Sequence, residues 1–156
     1  MRTFRYESQL WLPCARSELF PFFADARNLQ LITPPWLRFS VLTEGEISMA
    51  EGTRIDYRLG WRGLPLRWQS EITAWEPPLR FVDEQRRGPY RLWVHEHLFS
   101  ERDGGTLVED RVTYGVPGGL LAQRLMVGAD VERIFAFGRE ALLDRFGRVR
   151  GANEPR

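Results

Sequence analysis

The sequence predicts an α+β fold in which a curved antiparallel sheet of about seven strands surrounds one long C-terminal helix. Residues 120–146 contain no proline, and their apolar residues recur every three or four positions, as on one face of a helix. Most of the chain upstream alternates between apolar and polar residues, which is typical of half-buried strands. Turn-forming residues separate the alternating stretches, so neighbouring strands are expected to pair as hairpins. Such a sheet twists and curls, and its concave side can then cover the helix.

The strands and short helices follow from the alternation and its interruptions. The first strand is predicted over residues 3–12, where Phe4, Tyr6 and Leu10 share one face. Two short helices are predicted next, at residues 17–24 with Ser17 as the N-cap and at residues 26–31. The remaining strands are predicted at residues 36–43, 53–61, 66–75, 79–87, 90–100 and 106–116.

The C-terminal helix has clear limits in the sequence. Pro117 and the two glycines after it precede the helix, and Gly147 ends it. Its apolar stripe consists of Val127, Val131, Ile134, Phe135, Ala141 and Leu142. Charged residues interrupt the helix too often for it to insert stably in a membrane. We expect one domain over residues 1–147 and a disordered tail over residues 148–156.

Composition excludes several classes of protein. The 156 residues carry a net charge of only +1, which argues against a dedicated nucleic-acid-binding protein. A single cysteine rules out an internal disulfide, and no apolar run of a signal peptide follows Met1, so a cytoplasmic location is expected. Aromatic residues make up 13% of the chain, and this richness indicates a cavity with aromatic walls.

The only two histidines, His95 and His97, lie on the same face of one predicted strand. A two-residue turn at positions 103–104 would place His97 directly across from Asp110 on the next strand. One register of the preceding hairpin would place Asp83 beside His95. Both histidines are therefore predicted to lie on the concave wall, each near a carboxylate.

Four interpretations of this cluster remain open from the sequence. The cluster can be a buried polar network that stiffens the sheet, or it can orient a ligand in an apolar pocket. It can also supply acid–base catalysis, for which the candidates are His95, His97, Asp110 and Asp83. Two histidines two residues apart on a strand could also bind a metal, but this spacing is unspecific, so no metal and no other cofactor is predicted.

Several local motifs resemble those of a known superfamily. They are the stretch 19–23 with Asn28 and Leu29, the stretch 33–37, the stretches 81–85 and 88–90, and Trp93, His95, His97 and Phe99 followed by Gly105, Thr106, Asp110 and Tyr114. Together with the predicted architecture, they resemble the helix-grip fold of the START-like superfamily, also called SRPBCC. The sequences of these motifs are similar to those of ligand-binding SRPBCC proteins, some of them labelled cell-division inhibitors. The superfamily also includes polyketide cyclase/dehydrases. The resemblance implies a START-like domain but no particular reaction.

The function predicted from these observations is binding of a small hydrophobic or amphiphilic molecule between the sheet and the C-terminal helix. The predicted ligand contacts are Tyr57, Leu59, Trp61, Trp68, Phe81, Asp83, Gln85, Trp93, His95, His97, Phe99, Asp110, Tyr114 and Phe135. One alternative is a cyclase/dehydratase-type enzyme that uses the His/Asp cluster. Another is a protein-interaction domain in which the cavity is incidental.

Overall fold

The computed structural model describes residues 1–147, so the predicted tail at 148–156 lies outside the described residues. The strands are β1 (Phe4–Leu12), β2 (Ser40–Val41), β3 (Arg54–Trp61), β4 (Leu64–Glu76), β5 (Arg80–Arg87), β6 (Leu92–Arg102) and β7 (Gly105–Gly115). Between β1 and β2 lie α1 (Arg16–Phe23) and two 3₁₀ helices, Ala26–Ile32 and Pro35–Leu37. The chain ends in α2 (Gly119–Ala122), a π-helical turn (Gln123–Val127) and α3 (Gly128–Phe146). These last three follow one another without a gap and are called the C-terminal helix below.

All seven strands form one antiparallel sheet in the order β1-β7-β6-β5-β4-β3-β2. Asp103 and Gly104 connect β6 to β7 with φ angles of 50° and 75°. A two-residue hairpin turn of type I′ needs positive φ at both positions, and Gly104 adopts it without steric cost. The turn fixes the pairing of Arg102 with Gly105, and hence the register of the whole hairpin.

The C-terminal helix packs on the concave side of the sheet, as predicted. The ring of Phe135 stacks on that of Tyr6 in β1, with centroids 4.6 Å apart. At the other side of the sheet, the indole nitrogen of Trp61 donates a hydrogen bond of 2.9 Å to Asp130. Val131 and Leu142 on the same helix are buried. The helix thus spans the curved sheet from its first strand to β3.

Two packed regions lie at the ends of this arrangement. Near α1, a cluster of buried side chains includes Leu12, Leu19, Phe20 and Phe99. Near the start of the C-terminal helix, Val112, Val116 and Val131 form a second cluster. No helix among residues 1–147 is both long and apolar enough to cross a membrane.

The strand predicted at residues 36–43 is wrong for most of its length. Pro35 begins a 3₁₀ turn that ends at Leu37, and only Ser40 and Val41 pair with β3. Consecutive prolines fix φ and remove two backbone donors, which favours the turn over a ladder. The sequence also predicted a cap at Ser17, but Ala15 occupies that position without a side-chain hydrogen bond.

The alternation predicted for β4 holds only as far as Ile72. The register of β4 with β5 shifts between Ile72 and Ala74. A bulge inserts one extra residue and reverses the facing of the residues that follow. Trp75 therefore packs inward against Phe81, with ring centroids 5.4 Å apart, and Ala74 faces the convex side.

Candidate functional site

The two histidines and two aspartates lie on three adjacent strands in the middle of the concave face. Asp83 is on β5, His95 and His97 are on β6, and Asp110 is on β7. Asp83 lies directly opposite His95, and His97 directly opposite Asp110, which are the registers predicted from the sequence. We call these four residues the tetrad.

The hydrogen bonds within the tetrad run diagonally. His95 Nε2 is 2.7 Å from Asp110 Oδ1, and His97 Nε2 is 2.6 Å from Asp83 Oδ2. The distances to the register partners are longer, 3.9 Å from His95 Nδ1 to Asp83 and 3.8 Å from His97 Nδ1 to Asp110. An ionised carboxylate only accepts hydrogen bonds, so each Nε2 carries a proton and donates it.

The imidazole rings are enclosed by stacking. His97 lies between Phe81 and His95, with centroid distances of 4.1 Å and 3.7 Å. The ring of Phe135 on the helix meets His95 edge-on at 5.4 Å. The histidine side chains are 12% and 11% exposed, whereas those of Asp83 and Asp110 are 21% and 20% exposed. The carboxylates are therefore the more accessible part of the tetrad.

Burial raises the pKa of both aspartates, but their histidine partners outweigh it. For Asp83, the hydrogen bond from His97 and the charge of His95 bring the pKa below its usual value. For Asp110, the hydrogen bond and charge of His95 do the same, with a further contribution from the Ser8 hydroxyl. Both carboxylates consequently stay ionised at neutral pH.

The pKa values of the two histidines shift in opposite directions. Burial lowers the pKa of His95, but the hydrogen bond to Asp110 and the two carboxylate charges raise it above its ordinary value overall. Burial also lowers the pKa of His97, the adjacent His95 charge lowers it further, and Asp83 compensates only in part. Two stacked imidazoles repel each other when both are charged, so the opposite shifts favour His95 over His97 as the ring that holds the extra proton.

The tetrad also contains a group of possible metal ligands. One atom each of Asp83, His95 and His97 lies within 4.8 Å of the others. A metal bound by an imidazole lies near the plane of that ring, and two stacked rings leave no common in-plane position between them. Both Nε2 atoms and one oxygen of each aspartate are already used in the hydrogen bonds described above. This geometry favours a hydrogen-bonded cluster over metal binding.

A cavity of about 470 Å³ separates the sheet from the C-terminal helix, and the tetrad lies on its floor. Most of the predicted ligand contacts line it, namely Tyr57, Leu59, Trp61, Trp68, Phe81, Asp83, Trp93, His95, His97, Asp110 and Phe135. The sheet contributes these residues because every second side chain of each strand points to the concave side.

The other three predicted contacts lie elsewhere. Gln85 bridges the turn after β5, where its side-chain amide donates to the carbonyl of Tyr90 and accepts from its N–H. Phe99 is 2% exposed and packs against Phe23 in the core beside α1. Tyr114 is equally buried, and its hydroxyl accepts a hydrogen bond from Gln123 at 2.7 Å. Packing and turn formation account for these residues without a ligand.

The predicted ligand contacts include only part of the lining. On the C-terminal helix, Ile134 of the predicted apolar stripe also faces the cavity, and so do Met126, Asp130, Gly138 and Arg139. Met126, Asp130, Ile134 and Gly138 recur every four residues, as residues on one helix face do. The short helices contribute Asp25, Asn28, Leu29 and Ile32. Their position depends on the path of an irregular segment, which periodicity does not describe.

Comparisons with known proteins agree with this architecture. Residues 12–142 match the family described as polyketide cyclase / dehydrase and lipid transport. No curated protein matches the sequence. Three similar solved structures represent bacterial and plant proteins. Protein Ms6760 from Mycobacterium smegmatis is 18% identical with a TM-score of 0.65, over 88% of this chain and 87% of that chain.

Ginseng major latex-like protein 151 from Panax ginseng is 13% identical with a TM-score of 0.68, over 92% of this chain and 97% of that chain. Protein TTHA0849 from Thermus thermophilus is 18% identical with a TM-score of 0.62, over 90% of this chain and 98% of that chain. Identities this low establish a shared fold and nothing about a shared ligand. Because the family match spans most of the sequence, the chain belongs to the polyketide cyclase / dehydrase and lipid transport family, within the SRPBCC or START-like superfamily of helix-grip proteins.

Proposed function

We propose that this protein binds a small hydrophobic or amphiphilic molecule in the cavity between the sheet and the C-terminal helix, and that residues 1–147 form the binding domain. The observation that supports the proposal is a space of about 470 Å³ with mostly apolar walls and a compact polar cluster on its floor. Its volume is in the usual range for small-molecule sites. A cavity of this size and lining favours a small ligand over a protein-interaction domain, which would not require one.

The walls offer flat surfaces on several sides. Trp68 and Trp93 meet edge to face with centroids 5.4 Å apart, and Tyr90 lies 4.8 Å from Trp93. Aromatic side chains contribute large apolar areas at a fixed geometry. Removing such area from water contributes about 25 cal/mol per Å² before the entropic cost of binding. A ring-containing ligand would therefore gain most of its affinity from these walls.

The neutral fluorescent probe N-phenyl-1-naphthylamine tests the proposal directly. We expect saturable binding with enhanced fluorescence, and loss of binding in Met126→Trp, because Met126 lines the cavity and a larger ring would fill it. Leu125→Trp is the matched control, since Leu125 is the preceding residue and is 70% exposed. Equal binding by both variants, or none by the wild-type protein, would refute the proposal. Native mass spectrometry of the purified protein then identifies any ligand retained during purification.

Catalysis of the cyclase or dehydratase type is a second candidate, and the tetrad is the observation that favours it. Two imidazoles whose pKa values shift in opposite directions, each bonded to a carboxylate, would provide a proton donor at His95 and a proton acceptor at His97 beside the cavity. Exchange of Asp83 for Asn separates the two functions. In an enzyme, the exchange should abolish turnover of a hydroxy-ketone substrate, whereas a binding protein should retain binding of the neutral probe.

A further inference from the structure

We propose that the preferred ligand of this cavity carries a protonated amine, which lies against the carboxylates of Asp83 and Asp110, and that molecules ending in a carboxylate are rejected. This inference depends on the proposed binding function and adds the chemical class of the ligand. It derives from the charges and hydrogen bonds that the cavity presents to its contents.

The charged lining of the cavity is predominantly acidic. Among the described residues, its charged side chains are those of Asp25, Asp83, Asp110, Asp130 and Arg139, besides the two histidines. Four carboxylates thus face one guanidinium and at most one imidazolium. The interior retains excess negative charge although the whole chain is close to neutral. Apolar walls strengthen this field because they lower the local dielectric constant.

Two of the four carboxylates already have partners outside the tetrad. Asp130 accepts a hydrogen bond from Trp61 and lies 3.5 Å from a guanidinium nitrogen of Arg62. Asp25 accepts the backbone N–H of Arg27 at 3.0 Å and caps the 3₁₀ helix. The carboxylates left for a ligand are those of the tetrad, on the cavity floor.

The tetrad offers more acceptors than donors. Each histidine uses Nε2–H on an aspartate, and the stacked rings cannot both gain a second proton, so at most one further N–H is present, on His95 Nδ1, 3.9 Å from Asp83. The side chains of Asp83 and Asp110 remain about one-fifth exposed. A ligand amine would supply the missing donors, whereas a ligand carboxylate would meet two like charges at low dielectric.

Aromatic rings beside the carboxylates complete a site for a cation. The buried phenol of Tyr57 lines the cavity close enough to Asp83 for that charge to raise its pKa, in addition to the effect of burial. Trp93 lies next to His95, with centroids 6.4 Å apart. The faces of such rings attract ammonium groups that have left water. Arg139 is the opposing feature, since it would favour an anion in its own part of the cavity.

Isothermal titration calorimetry at pH 7 with three ligands of one shape tests the inference. The ligands are 2-naphthylmethylamine, 2-naphthylmethanol and 2-naphthoate, compared at constant ionic strength. We expect the amine to bind about tenfold more tightly than the alcohol, a difference of about 1.4 kcal/mol, and the carboxylate to bind most weakly. Asp83→Asn should remove most of the amine's advantage, whereas Asp144→Asn, on an exposed position of α3, should leave the order unchanged.

The variant Arg139→Gln provides an independent test if Asp83→Asn does not fold. Removing this guanidinium should increase the preference for the amine over the carboxylate. The inference would be overturned if the wild-type protein bound the carboxylate as tightly as the amine or more tightly. It would also be overturned if none of the three ligands bound while N-phenyl-1-naphthylamine still did. If N-phenyl-1-naphthylamine does not bind either, the proposed function itself fails, and the inference fails with it.

Discussion

His95 and Asp110 are joined by a hydrogen bond of 2.7 Å although they are not register partners, because Asp110 lies directly opposite His97. Asp83 shows the same exchange, since it lies opposite His95 and bonds to His97 at 2.6 Å. The crossed bonds hold the two imidazoles face to face, with 25° between their planes. Protonation of one ring is therefore coupled to protonation of the other.

The first prediction concerns the titration of the two histidines. The pKa of His95 should lie above its ordinary value because Asp110 holds the imidazolium, and that of His97 should lie below it because of burial and the His95 charge. Nuclear magnetic resonance of the ring nitrogens measures both, and the chain's only two histidines give two pairs of signals, one pair for each ring. Two histidines that titrate together near the ordinary pKa of histidine would contradict the opposite shifts predicted for them.

The same shifts determine how stability depends on pH. The raised pKa of His95 stabilises the fold below the unfolded-state value, and this contribution is lost as pH rises through the folded-state value. The lowered pKa of His97 acts oppositely, so its effect reduces stability as pH falls below the unfolded-state value. The lowered values of Asp83 and Asp110 add a further loss at more acid pH. Urea denaturation at a series of pH values should show a maximum in the free energy of unfolding. This maximum should lie between the acid range, where His97 and the two aspartates reduce stability, and the higher pH at which the contribution of His95 is lost.

The second prediction is that Asp110→Asn destabilises the protein by about 2 kcal/mol at pH 7, because the buried ring N–H of His95 loses its charged acceptor. The pKa of His95 should fall in this variant. If Asp110 had only a structural role, the pKa of His95 would stay raised. Asp144→Asn is the control, since it removes an exposed carboxylate of the same size. Chemical denaturation and ring-nitrogen resonances measure the two effects. Wild-type stability together with an unchanged His95 pKa would show that Asp110 does not hold the charge.

The backbone positions of the tetrad could be predicted from sequence, but its bonding could not. Alternation gave the face of each strand, and the turn at Asp103 and Gly104 gave the register of β6 with β7. Register specifies which Cα atoms lie opposite each other. The choice between a direct and a diagonal partner depends on side-chain rotamers and strand twist, which no periodicity encodes.

Other differences from expectation also arise where local pattern meets tertiary packing. The bulge in β4 turns Trp75 inward, although strict alternation from Ile72 would place it on the convex face. The C-terminal helix includes a π-helical turn at Gln123–Val127, where Gln123 reaches the buried hydroxyl of Tyr114. The sequence of this turn contains no proline or glycine and no other break in a helical pattern, so only the packed structure reveals the extra residue.

The third prediction tests how the C-terminal helix is held over the cavity. Trp61→Phe removes the indole donor to Asp130 and should cost about 1 kcal/mol. Because this bond joins β3 to the helix, deuterium exchange should increase at residues 119–134 and ligand release should become faster. Trp11→Phe is the matched control, because the indole nitrogen of Trp11 donates a hydrogen bond of 2.8 Å to the carbonyl of Arg102 and Trp11 does not line the cavity. Equal exchange at residues 119–134 in both variants would show that the Trp61 bond does not restrain the helix.

The fourth prediction concerns Gly105, the first residue of β7. A Cβ atom there would clash with the carbonyl oxygen of Leu12 and approach the Trp11 ring to 2.7 Å. Gly105→Ala must therefore separate β1 from the β6–β7 hairpin at this edge, and we expect a loss of about 2 kcal/mol, within the range for overpacked sites.

Gly60→Ala is the matched control for that exchange, because Gly60 is also in a strand and the nearest atom to its added Cβ is the Leu37 oxygen at 3.7 Å. This variant should keep wild-type stability or gain slightly, since alanine restricts the unfolded chain more than glycine does. Urea denaturation of the two variants side by side gives the difference. A Gly105→Ala protein as stable as Gly60→Ala would mean that the edge between β1 and β7 is less tightly packed than the structure describes.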